Sequence, residues 1–324
     1  MKNSRLKADL ALAFCSLIWG ATFVLVKEAL EHASVFAFLA VRFAIAGTLM
    51  AVIYLPALRR LTRTAIWAGT QVGFFMFTGY VFQTAGLRFT TPSKAAFITG
   101  SGIVLVPILM AFLWKRHISR WTWAGAAIAF AGLYLLTAPQ AVELAEGGDA
   151  VRRGMAALNV GDLLVLVCAV LFAFHIIYVG RFTPHHSVAA LSFVQVAATA
   201  VFSLLFLPLG HVTGLEPLRL VWTKGFIWAV IITAVGATAV AFSLQVWAQR
   251  FTTPTHTAIL FSLEPVFAWI TSYVVVGERL GGSALAGAGL ILAGIFLAEL
   301  KGGAPAAMES PASLATPADE EALP

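Results

Sequence analysis

Long apolar runs, each about 20 residues, are separated along this chain by short polar connectors. The runs are continuous, whereas strands of a membrane barrel would alternate polar and apolar at every second residue. Their length matches a helix crossing a ~30 Å hydrocarbon core, where backbone polar groups must be bonded within their own segment. The pattern predicts ten spans, at residues 9–28, 34–55, 65–87, 93–114, 121–138, 160–180, 187–209, 225–248, 255–276 and 282–300. The longer connectors are Pro139 to Asn159 and His211 to Lys224, and after Lys301 the chain turns Ala/Pro/Glu-rich without periodicity.

The pattern occurs twice. Phe89-Thr90-Thr91-Pro92 returns 162 residues later as Phe251-Thr252-Thr253-Pro254, and the match continues on both sides, with Gln83 on Gln245, Arg88 on Arg250, Gly125 on Gly287 and Gly132 on Gly294. An earlier block repeats at an offset of 153, laying Asp9 on Asp162 and Cys15 on Cys168. Five spans per copy is an odd number, so the two copies enter the membrane in opposite senses. The expected fold class is therefore all-α integral membrane, with ten transmembrane helices as two inverted five-helix repeats. The expected division is 1–138 for the first repeat, 139–159 for the inter-repeat loop, 160–300 for the second repeat and 301–324 for a disordered cytoplasmic tail. Such duplication suits a carrier whose two bundles rock about a site between them.

Composition agrees: 60% of the 324 residues are hydrophobic and 11% charged, against roughly a quarter charged in soluble domains. The net charge of +6 does not indicate nucleic-acid binding, because the cations sit in connectors, where they act as topology signals. Three triplets (Lys2, Arg5, Lys7; Arg59, Arg60, Arg63; Lys115, Arg116, Arg120) fall on one side if the N-terminus is inside, which places both termini in the cytoplasm. Cys15 and Cys168 have neither metal spacing nor a disulfide framework. The basic start followed by an apolar run reads as an uncleaved first helix.

Trp19-Gly20-Ala21-Thr22-Phe23, Arg42-Phe43, Gln83-Thr84-Ala85-Gly86-Leu87 and Ser93-Lys94-Ala95-Ala96-Phe97-Ile98-Thr99 mark the first copy. Leu263-Glu264-Pro265-Val266-Phe267 and Gly277-Glu278-Arg279-Leu280 mark the second. On these residues the chain, from Asp9 to Leu300, resembles the drug/metabolite transporter superfamily, specifically its EamA-like ten-helix carriers. The resemblance implies small-molecule transport, frequently efflux, in the bacterial cell inner membrane, with the fifth and tenth spans peripheral. It selects no solute.

An ionisable group at the bilayer centre costs roughly 2.5–3.5 kcal/mol on insertion scales. Arg42 and Glu264 each lie about nine residues into their spans, hence ~13 Å from opposite boundaries, and both arrive near the midplane. There they can pair with each other or bind solute charge; a structural ion pair or a snorkelling arginine is the alternative. The copies also differ at these positions: Arg42 lies on Gln195, Thr22 on His175 and Gly102 on Glu264. His175 is a proton carrier or a neutral histidine bonded within the bundle. Gln83 and Gln245 are expected in interhelical hydrogen bonds or on solute. Trp19 and Tyr80, ahead of Tyr178 and Trp247, are candidates for an aromatic lining. Pro107 and Pro265 are expected to kink their spans from inside.

No Gly-x-x-x-x-Gly-Lys-Ser/Thr loop occurs, so the chain does not hydrolyse nucleotide itself. The leading reading is a secondary transporter of a small organic solute (amino acid, metabolite or drug-like compound) working by alternating access, with an uncoupled facilitator as its alternative. An intramembrane enzyme would need a nucleophile–base pair or metal ligands, and Ser101 has no evident His or Asp partner. A channel would need a repeated polar stripe. No cofactor and no metal are expected; the expected partners are the solute, membrane lipid, protons and a second copy in a homodimer.

Overall fold

The computed structural model describes residues 2–90, 92–137, 159–212, 216–276 and 282–301. The inter-repeat loop from 139 to 158, the tail after Lys301 and the Gly277-Glu278-Arg279-Leu280 motif lie outside the described residues. The helices of the first half are α1 (Lys2–Ala29), α2 (Val35–Ile53), α3 (Leu55–Leu58), α4 (Arg63–Leu87), α5 (Pro92–Gly100), α6 (Gly102–Leu113) and α7 (Arg120–Thr137). Those of the second are α8 (Val160–Phe182), α9 (Val188–Val212), α10 (Lys224–Ala234), a π-helical turn Val235–Val240, α11 (Ala241–Ala248), α12 (Pro254–Phe261), α13 (Glu264–Val276) and α14 (Gly282–Lys301). Apart from one isolated antiparallel bridge between Ala33 and Leu220, helix is the regular structure of the described residues. The fold is all-α. Six segments, Ser4–Ala29, Val35–Ile53, Lys94–Leu113, Val160–Phe182, Val188–Val212 and Lys224–Ala248, are long and apolar enough to cross a membrane. The remaining helices complete the ten-span order, α5 with α6 and α12 with α13 each making one broken span. The first helix begins earlier than hydropathy indicated, at Lys2, because its polar first turns simply continue the helix.

The two breaks fall at equivalent places, one well before its proline and the other within the turn its proline disrupts. The fourth span breaks at Ser101, between Gly100 and Gly102 and six residues before Pro107. The ninth breaks at Ser262 and Leu263, so Pro265 sits in the first turn of α13 instead of kinking a continuous helix. Proline is tolerated in a first turn because the donor it lacks has no intrahelical partner there. Ser101 and Ser262 each donate a 2.6 Å hydrogen bond to the carbonyl three residues earlier, Ile98 and Ile259. Those bonds offer the backbone an alternative to the helical ladder at each break.

A pseudo-two-fold relates the halves. Helices α7 and α14 pack on each other, as do α2 and α9, while α4 on α8 is mirrored by α1 on α10 and α11. The α7–α14 contact is reciprocal down to single atoms. A Cβ added at Gly125 would stand 2.5 Å from the Gly294 carbonyl oxygen, one at Gly294 would stand 2.5 Å from that of Gly125, and one at Gly132 would stand 2.6 Å from that of Gly287. Only glycine permits backbones this close. Large apolar side chains such as Trp67, Phe112, Trp228 and Val274 are exposed on the outside of the bundle, a surface for lipid. This is a multi-pass membrane protein.

The polar ends of the bundle form two faces. On one, which we call the Asp162 face, Arg88 pairs with Glu216 at 2.6 Å and Lys94 with Asp162 at 2.5 Å. There Lys27 also donates to the Leu87 and Thr90 carbonyls at 2.6 and 2.7 Å. On the other, the Asp9 face, His256 meets Asp9 at 3.0 Å and Arg250 donates to the His186 carbonyl.

Candidate functional site

Between the halves lies a cavity of about 810 Å³, counting its opening, and all seven residues singled out in the sequence line it: Trp19, Arg42, Tyr80, Gln83, His175, Gln245 and Glu264. The walls are mainly apolar and aromatic, with Phe23, Phe172, Phe242 and Phe261 completing them. Trp19 packs on Phe242 and Phe261 at ring-centroid distances of 5.2 and 5.0 Å. Tyr80 packs edge-on against Phe43 and Phe172, both at 5.2 Å. Tyr178 instead packs against Phe75 and Phe182, and Trp247 against Phe251, and neither belongs to the lining.

Arg42 is held on three sides. Its Nε donates to Thr238 Oγ1 at 2.9 Å, and one terminal nitrogen donates to the Tyr80 hydroxyl at 3.2 Å and to the Ala237 carbonyl at 3.4 Å. The guanidinium also lies 4.6 Å from the Tyr80 ring centroid and 5.4 Å from that of Phe43, a cation–π arrangement strengthened by burial. Arg42 and Glu264 line the same cavity and form no ion pair with each other. Glu264, 9% exposed, opens α13 directly after the break, and its carboxylate has no hydrogen-bond partner among the described residues. A buried carboxylate of this kind is costly unless it takes up a proton or a cationic or donor group.

The π turn supplies two of the three hydrogen-bond acceptors that hold Arg42. An i→i+5 turn displaces carbonyls from the regular ladder, and the Ala237 carbonyl accepts both the Trp19 indole at 2.8 Å and the Arg42 guanidinium. Thr238 completes the turn by donating to the Thr233 carbonyl at 2.8 Å. Nothing in Val235-Gly236-Ala237-Thr238-Ala239-Val240 announces such a turn in sequence, and Thr238 and Ala237 were not anticipated. Gly20, by contrast, is explained. A Cβ there would stand 2.5 Å from the Glu264 carbonyl oxygen and 2.7 Å from the Ala268 nitrogen, so the absent side chain lets α1 carry Trp19 against the broken ninth span.

The two glutamines are not used alike. Gln83 bonds across to Thr99 Oγ1 on α5 at 3.4 Å. Gln245 bonds to Gln249 one turn further along its own chain segment, at 3.0 Å, and it is Gln249 that reaches α8 through the Ile176 carbonyl. The Gln245 Oε1 acceptor is buried without a partner. His175 is fully buried, 3.0 Å from Gln195 Oε1, with its ring edge-on to Phe172 and Phe242. Ser101 donates to the Ile98 carbonyl. Among the described residues no cluster of three or more His, Cys, Asp or Glu side chains is arranged to hold a metal.

A ten-span helical protein built of two repeats, with a cavity at their interface, has the architecture of a membrane carrier. Comparison with known proteins gives the same class. The sequence profile of the EamA-like transporter family matches residues 6–138 and again 159–300, and the chain belongs to that family. It is 35% identical over 306 residues to an uncharacterized transporter of Archaeoglobus fulgidus, across 92% of this chain and 87% of that one. It is 25% identical to the uncharacterized transporter YetK of Bacillus subtilis, across 92% and 88% of the two chains. A solved crystal structure superposes with a TM-score of 0.68 at 21% identity, covering 90% of this chain and 96% of that one, a likeness of fold alone. The protein is a membrane transporter.

Proposed function

We propose that the chain is a secondary transporter that moves a small organic solute by alternating access, with the solute bound in the cavity between Arg42 and Glu264. The observation that carries this reading is the juxtaposition of a cation held by Thr238, Tyr80 and the Ala237 carbonyl with a carboxylate that has no partner among the described residues, inside one aromatic-walled cavity lined by both repeats. Glu264 is the group that takes up solute charge or a proton; Arg42, Trp19 and Tyr80 orient the solute, with Gln83, Gln245 and His175 beside it. The direction is efflux, the membrane is the bacterial inner membrane, and both termini are cytoplasmic, so the Asp9 face is the cytoplasmic one. Engagement of Lys27, Arg88 and Lys94 in specific bonds accounts for cations on the outer side despite the charge rule. We also propose the division at 1–138 and 160–300 and that pairs of chains associate.

The test is solute flux in inside-out vesicles carrying the purified chain, under an imposed proton gradient, with a mixed amino-acid and metabolite panel. Accumulation that follows the gradient and is lost in Glu264→Gln is expected. Flux that equilibrates regardless of the gradient would replace coupling with facilitation, and a Glu264→Gln variant transporting at the wild-type rate would remove Glu264 from the mechanism.

A further inference from the structure

The repeat alignment sets two ion pairs on each other across the pseudo-two-fold. Lys94, at the start of the fourth span, aligns with His256 at the start of the ninth. Asp162, at the start of the sixth, aligns with Asp9 at the start of the first. The structure joins Lys94 Nζ to Asp162 Oδ2 at 2.5 Å and His256 Nε2 to Asp9 Oδ1 at 3.0 Å. Each pair ties the fourth span of one repeat to the first span of the other, one pair on each face. Such a position must part if the spans around the cavity are to separate at that end.

The two pairs are built to different strengths. Asp162 is fully buried and also accepts from Thr90 Oγ1 at 2.8 Å and from the Asn159 backbone at 3.0 Å within a capping box. At the Asp9 face the residue equivalent to Thr90 is Thr252, and its buried hydroxyl has no partner. Lysine keeps its charge across the physiological range, while an imidazole changes charge within it. Among the elements packed on α12, α6 carries no ionisable residue. On α8, His175 is bonded to Gln195, Arg181 lies over the Phe182 ring, and Asp162 is committed at the opposite face. On α14, Lys301 lies over the Trp121 ring, and on α1 the nearby charges are Arg5, Lys7 and Asp9. Asp9 is a carboxylate within bonding distance of His256.

Resting on the transporter reading above, we propose that Lys94–Asp162 and Asp9–His256 are the two gates of the cavity, and that the Asp9–His256 gate alone responds to protons. The sign follows from the pair: protonated His256 faces an anion across a charge-assisted bond, and loss of that proton leaves a weaker neutral one. The Asp9 gate is therefore tightest at low pH and loosens as pH rises, while the Asp162 gate holds throughout.

Hydrogen–deuterium exchange of the full chain in nanodiscs, corrected for the intrinsic pH dependence of exchange, reads both gates without any solute. Between pH 5.5 and pH 8.5 the first turns of α1 and α12 are expected to exchange roughly tenfold faster, the size of change when a charge-assisted hydrogen bond becomes a neutral one, with α5 and the start of α8 unchanged. His256→Lys, which copies the opposite gate, should abolish the response; Lys94→His should create one at the Asp162 face. A wild-type chain whose α1 and α12 show no pH response, or a His256→Lys variant that keeps it, overturns the assignment whatever the flux assay shows. If the response is present and no panel solute moves, the transport reading fails separately and the pairs remain a proton-sensitive contact between the repeats.

Discussion

Buried polar side chains in this bundle divide into those the fold satisfies and those it leaves open. Arg42 belongs to the first kind, since Thr238, Tyr80, the Ala237 carbonyl and two aromatic faces surround it. Tyr80→Phe removes one acceptor and keeps the ring, so a loss of about 1 kcal/mol is expected, read as a lowered melting temperature in detergent. Arg42→Lys keeps the charge and loses the planar fork that reaches Thr238, Tyr80 and the Ala237 carbonyl at once. It should insert and fold, yet transport more slowly than Tyr80→Phe, which vesicle flux at matched protein level would show. Glu264 and the Gln245 acceptor are of the second kind, and on the proposed reading those are the groups a solute bonds. Depth in the span and mismatch between repeats single out Arg42, Glu264 and His175 in the sequence, and all three lie on the cavity wall. The partners of Arg42 were not legible, because Thr238 and Ala237 acquire their role from a π turn that no residue type encodes.

Helix identity was legible throughout, since continuous apolar runs have one solution in lipid, and most span boundaries fall within a few residues of the hydropathy limits. What the runs did not disclose is where a helix stops being continuous. Pro265 marks the turn in which the ninth span breaks, whereas the fourth span breaks six residues before Pro107; both breaks fall at serines that bond back to Ile98 and Ile259. The ninth-span break delivers Glu264 to the cavity, and Gly20 is the residue on which it rests. Gly20→Ala drives a methyl into the backbone at Glu264 and Ala268, so α1 and α13 must move apart. A destabilisation of about 1–3 kcal/mol, the ordinary cost of overpacking, is expected in thermal unfolding, together with a raised KM for the carried solute. Gly289→Ala, where an added Cβ meets nothing within 4 Å, should be neutral or slightly stabilising, as alanine is in any exposed helix interior. Equal effects from the two substitutions would mean that close approach at Gly20 is not what places Glu264.

At the scale of the whole molecule, the duplicated sequence becomes a pseudo-two-fold that is kept strictly in some contacts and relaxed in others. The α7–α14 seam is kept: its glycines touch reciprocally, and packing of backbone on backbone leaves little room for sliding. The cavity is relaxed, with Arg42 opposite Gln195 and Glu264 opposite Gly102 in the repeat alignment. A seam that stays fixed and ends that part in turn are what alternating access needs, and they can be separated experimentally. In a chain with Cys15 and Cys168 replaced by alanine, cysteines at 94 and 162, or at 9 and 256, can be bridged by a short bifunctional thiol reagent. Bridging either pair should arrest flux, because each face must open once per cycle, while the cavity stays reachable from the unbridged face and still binds solute. Single-cysteine chains given the same reagent should keep transporting. Flux that survives a bridge at one face would place the solute's path elsewhere than between the first and fourth spans of opposite repeats.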